Sequence, residues 1–89
     1  MPQYMIIERF REGNSAAIYD RFAAKGRMLP NELRFLDSWL SQSDDTCYQL
    51  METERPESFD KWIAHWDDLV EFEIVELKEK PTKGQQNDH

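Results

Sequence analysis

Eighty-nine residues, 39% of them apolar and 12% aromatic, make one small globular domain rather than a disordered acidic segment. A chain of this length buries only about 60–65% of its unfolded surface, so its core is small unless a partner adds to it. The formal charge of −7 argues against non-specific attachment to nucleic acid or anionic membrane, and one cysteine, Cys47, excludes an internal disulfide framework and favours a reducing compartment.

Residues 4–10 are rich in β-branched and aromatic types and predict a strand, buried on both faces up to Glu8 and Arg9. Glu12 to Ser15 read as a turn in which Asn14 or Ser15 caps a helix over 15–25. There Ile18, Tyr19, Phe22 and Ala23 form one apolar stripe, with Arg21 and Lys25 opposite. Gly26 stands where a left-handed cap is wanted. Arg27 to Glu32 form a loop, because Pro30 excludes helix. Residues 33–40 and 46–53 predict two strands joined by the polar turn 41–45, an antiparallel hairpin. Pro56 opens a second helix, poorly capped because Arg55 precedes it. Phe59, Trp62, Ile63 and Trp66 then recur at i, i+3, i+4 and i+7, and Leu69 extends the stripe. Residues 72–77 alternate as a fourth strand. Residues 78–89 carry no large apolar side chain and are expected to be a solvated, flexible tail beyond a domain at 1–77. The acidity belongs to that domain, which holds 16 acidic and 8 basic side chains.

The order β-α-β-β-α-β is the ferredoxin-like pattern of the α+β class, a four-stranded antiparallel sheet with both helices on one face. The other face should be polar in a monomer, yet either parity of each strand leaves it apolar. A homodimer packing sheet on sheet is therefore expected. Ser38, Cys47 and Gln49 are small or modest enough to fit beneath Trp62 and Trp66 and are assigned to the helix side. That assignment puts Tyr4, Ile6, Glu8, Phe10, Phe35, Asp37, Trp39, Tyr48, Leu50 and Glu52 on the open face.

Five segments together resemble a known family. They are Ile-Ile-Glu-Arg-Phe at 6–10, Arg-Phe-Ala-Ala-Lys-Gly-Arg-Met-Leu-Pro at 21–30, Asp-Ser-Trp at 37–39, Cys-Tyr-Gln-Leu-Met-Glu at 47–52 and Trp-Ile-Ala-His-Trp-Asp-Asp-Leu-Val-Glu-Phe-Glu at 62–73. Over residues 4–77 the chain is similar to the bacterial family called domain of unknown function 3303. The resemblance implies a dimeric α+β barrel, the architecture of antibiotic-biosynthesis-type and haem-degrading monooxygenases, and it carries no established activity. Arg55-Pro56 departs from the Asp-Pro expected there.

The residues offer one candidate constellation. Glu8, Asp37 and Glu52 stand among Phe10, Trp39 and Tyr48, and burial of a carboxyl would raise its pKa towards the range useful for acid–base work. Arg27 follows the first helix and has the planar fork that suits an anionic group. The reading is a pocket between sheet and helices for a small apolar or aromatic molecule, lined by Glu8, Phe10, Arg27, Asp37, Trp39, Tyr48 and Glu52. The enzyme alternative, a cofactor-independent monooxygenase of the kind the resemblance suggests or an isomerase, takes Glu8 or Glu52 as base and Tyr48 or Arg27 as stabiliser. The third alternative is a purely structural dimerisation module, with Glu8 and Glu52 ion-paired to Arg27, Arg34 or a partner arginine. One cysteine and two separated histidines make no metal set, and no cofactor is expected. His65 flanks the second helix's apolar stripe and reads as a surface or rim residue, not a haem ligand. No leader, signal-length apolar run or membrane span is recognisable, so a cytoplasmic location is expected.

Overall fold

Strand propensity and helical periodicity act locally, and the six segments they mark all form. The computed structural model describes residues 1–11 and 15–78. In chain order these hold β1 (Gln3–Phe10), α1 (Ser15–Lys25), β2 (Arg34–Leu40), β3 (Thr46–Glu52), α2 (Ser58–Ile63) and β4 (Val70–Leu77). The sheet order is β2-β3-β1-β4, and every neighbouring pair is antiparallel. This is the ferredoxin-like arrangement. Turn residues 12–14, with the candidate cap Asn14, and residues 79–89 of the expected tail lie outside the described residues.

α2 is shorter than the apolar stripe that announced it. Glu57 at its N-cap makes no side-chain cap, and the chain enters through a turn in which the Ser58 hydroxyl donates to the Arg55 carbonyl at 2.7 Å. After Ile63 the backbone continues as hydrogen-bonded turns, with Trp66 N–H donating to the Ile63 carbonyl at 2.9 Å and Leu69 N–H to the Trp66 carbonyl at 2.9 Å. Arg21 Nη1 takes the His65 carbonyl at 2.7 Å, satisfying an acceptor that a longer helix would have used. The stripe keeps its purpose without the helix: Phe59, Trp62, Trp66 and Leu69 are all buried.

The two pairings of β1 decide which side chains face the helices. Ile6 lies opposite Gln49 on β3 and Ile74 on β4, and Glu8 lies opposite Cys47 and Phe72. Ser38, Cys47 and Gln49 therefore share the helix side, as expected, but Tyr4, Ile6, Glu8 and Phe10 join them rather than taking the open face. Phe35 is a second correction. A register shift between Phe35 and Asp37 pairs Phe35 with Met51 and Asp37 with Leu50, so Leu36 is the extra residue and the two sides of the bulge face opposite ways. Met5, Ile7 and Val75 replace β1's even residues on the open face, beside Trp39, Tyr48 and Leu50.

The core lies between sheet and α2. Tyr4, Ile6, Leu33, Met51, Phe59, Trp62 and Trp66 form one buried cluster. Tyr4 meets Phe59 edge-on at 5.1 Å between centroids, and Trp62 meets Phe72 the same way at 5.2 Å. Such pairs add about 0.5–1.5 kcal/mol each to the burial of their area. α1 is different: none of its residues is buried. Among the described residues no helix is long and apolar enough to cross a membrane.

Candidate functional site

Because α1 does not close down on the sheet, a hollow of about 230 Å³ remains beneath it. β1 and β3 provide its sheet wall through Glu8, Cys47 and Gln49. Tyr19 and Phe22 border it from α1, Trp62 and Trp66 from α2 and the turn that follows it. Trp39 and Leu40 border it from the edge strand β2. The volume lies below the roughly 300–1,000 Å³ of drug-sized pockets, which suits a one- or two-ring molecule.

Glu8 is only 7% exposed in this mainly apolar space. Gln49 Nε2 donates to Glu8 Oε2, while Gln49 Oε1 accepts from Arg27 Nε at 3.4 Å. The relay points every donor towards the carboxylate and so favours its charged form. Burial outweighs it and pushes Glu8 up to about 7, against the lowering by the Gln49 hydrogen bond and the Arg27 charge. Cys47, across the strand pair from Glu8, is pushed up to about 11 by burial and by the Glu8 charge. It stays a thiol at neutral pH and is no activated nucleophile.

Arg27 is held from four directions. Gly26 and Met28 both take left-handed backbone, at φ 67° and 59°, which turns the chain sharply on either side of it. The indole Nε1 atoms of Trp62 and Trp66 both donate to its carbonyl, each at 3.1 Å. Its guanidinium lies 3.7 Å from the Phe35 ring centroid and 5.2 Å from that of Phe22. Trp62 and Trp66 thus fix the loop after α1, and the loop delivers the guanidinium to the hollow.

Four of the seven expected site residues meet here: Glu8, Phe10, Arg27 and Trp39. Asp37, Tyr48 and Glu52 do not line the hollow; their register puts them on the opposite face, and Trp39, which pairs with Tyr48, shares that face and borders the hollow from the edge of the sheet. Asp37 accepts from the neighbouring Ser38 N–H at 2.8 Å, and Glu52 pairs with Arg34 at 3.4 Å. Gln49 was recognised only as a modest side chain that fits under the tryptophans; its place between two charged residues needed the strand register. His65 is exposed, and among the described residues no three His, Cys, Asp or Glu side chains are placed to hold a metal ion.

Fold and site together define a ferredoxin-like α+β domain with an apolar, acid-bearing hollow under its first helix. The model of the family described as domain of unknown function 3303 matches residues 2–77, and the chain belongs to that family. No curated protein matches the chain.

Proposed function

We propose that the protein binds a small apolar or aromatic molecule in the hollow between α1 and the sheet, with Glu8 as its polar anchor. The observation that carries this reading is the Glu8 carboxyl itself. A merely structural core would lose nothing by replacing it with an apolar residue, because burying a charge is costly. Here it opens onto an unfilled space with aromatic walls. Trp62 and Trp66 both border that space from the core side, so intrinsic fluorescence reports on it. Titration with phenols, naphthoquinones and haem should give a saturable quench or shift for the one- or two-ring compounds. No change with any compound overturns the reading and leaves a structural module.

A second reading, catalysis, is favoured by one feature. A carboxyl near pH 7 is matched to general-base work, so Glu8 would take a proton from a bound hydroxyl or an acidic C–H. This fits a cofactor-independent monooxygenase or isomerase. Tyr48 and Glu52 have no part in it, being on the other face. Where turnover is found, Glu8→Gln should lower it at least tenfold.

We further infer a homodimer through the open face, where Met5, Ile7, Leu50 and Val75 form an apolar band beside Trp39 and Tyr48. Arg9–Glu73 at 3.0 Å and Arg34–Glu52 at 3.4 Å are ion pairs on the same face. The lone Cys47 supports a reducing, cytoplasmic setting. Light scattering should report a dimer at micromolar concentration and a monomer for Leu50→Glu; a monomeric parent protein overturns this inference.

A further inference from the structure

Arg27 contributes a cation to the hollow, and Glu8 offsets it only through space and through the Gln49 amide, not by a direct ion pair. Among the described residues no carboxylate lies within ion-pair distance of its guanidinium. Only its Nε is engaged, with Gln49; the two Nη atoms have no hydrogen-bond partner among the described residues. Its planar face is already stacked on Phe35, so the group is oriented before any ligand arrives. Glu8 stands one side chain away, at the other end of the Gln49 amide.

We propose that the occupant of the hollow is a small aromatic carboxylate, paired through its anionic group with the Nη atoms of Arg27 and held with Glu8 protonated. The inference rests on the binding reading above and names its ligand class. The reasoning is electrostatic. An anion and an ionised Glu8 cannot share a small low-dielectric space at no cost, so the ligand's charge favours the neutral acid. Neutral Glu8 keeps its Gln49 hydrogen bond at Oε2 and carries its proton on Oε1, where it can donate to the ligand. The remaining titratable groups around Glu8 are Arg27 in the loop, Cys47 on β3 and Tyr19 on α1; α2 and the turn after it present Trp62 and Trp66, and β4 presents Val70 and Phe72. Burial and the Glu8 charge push Cys47 up to about 11, so it stays a thiol between pH 6 and 8.

The test compares benzoate with its neutral isostere benzamide, by calorimetry and tryptophan fluorescence on the full chain. Benzoate should bind at least tenfold tighter than benzamide at pH 6. Its affinity should fall about tenfold from pH 6 to 8, because the unliganded acid must be reprotonated before binding. Calorimetry in buffers of different ionisation enthalpy should show proton uptake at pH 7.5, a measurement that needs no variant. Arg27→Gln should abolish the preference for benzoate, and Glu8→Gln should flatten the pH dependence while benzoate still binds. Equal affinity for the two probes, or proton release on binding, overturns the proposal and leaves the pocket standing. Binding of a neutral phenol or quinone where benzoate fails does the same. Failure of every probe, charged or neutral, overturns the binding reading along with it.

Discussion

The two helices of this domain invert the usual relation between length and packing. α2 is six residues long, yet with the turns that follow it supplies Phe59, Trp62, Trp66 and Leu69, all buried. α1 is eleven residues long and buries none; Tyr19 and Phe22 on its apolar side remain 50% and 43% exposed. Stability therefore resides with the short helix, and the space that can hold a ligand lies under the long one. A helix's apolar stripe records that something must cover it, and that something need not be the protein's own core.

Substitutions can break this division. Trp62→Ala should have the largest effect, removing a fully buried ring and one indole donor to the Arg27 carbonyl. The cost should be about 3–5 kcal/mol, much of the total stability of a small domain, and should appear as a large drop in urea midpoint. If Trp62→Ala is mild, the core is not where the geometry puts it.

Glu8→Gln should come next, and with the opposite sign. The Glu8 carboxyl sits at about 7 in the folded chain against an ordinary 4.5, so between those values the folded state binds the extra proton. Its unfavourable contribution is absent below pH 4.5, grows as pH rises towards 7, and is complete above that. Full burial of the shift corresponds to about 3 kcal/mol. Glu8→Gln should therefore be more stable than the parent at pH 8 and lose that advantage near pH 4.5, as denaturant curves at the two pH values will show.

Phe22→Ala should cost less than about 1 kcal/mol, because the ring is already half in water, yet it should weaken ligand binding severalfold. A Phe22→Ala protein that is strongly destabilised yet binds unchanged while folded would erase the contrast between the helices. The smallest effect is expected for Arg21→Gln. Arg21 meets Asp68 through two 2.9 Å hydrogen bonds at an exposed site, so the change in thermal midpoint should be slight and should shrink further in high salt.

Much of this was legible in the residues. The apolar spacings marked all six elements in their right order, Gly26 marked the end of α1, and the poor capping around Pro56 foreshadowed a weak start to α2. Small residues beneath large tryptophans correctly identified the inner faces of β3 and the far half of β2. Glu8 stands out as one of three acids beside aromatic residues, and Arg27 as an arginine after a helix whose planar fork suits an anion.

What the local pattern could not carry was relative register. The faces of β1 are fixed only when Glu8 pairs with Cys47, and the bulge at Leu36 reverses Phe35 with no local mark in the sequence. A one-residue choice moves a whole strand from one side of the sheet to the other, which is how Glu8 came to be expected on the open face with Asp37 and Glu52. Local residue pattern is enough to set the elements, their order and the chemistry available. Which of three carboxylates is buried, and that Gln49 bridges it to Arg27, follow only from the folded chain, because the bonds concerned join residues 41 and 22 positions apart; the stand-off of α1 from the sheet is likewise a matter of packing.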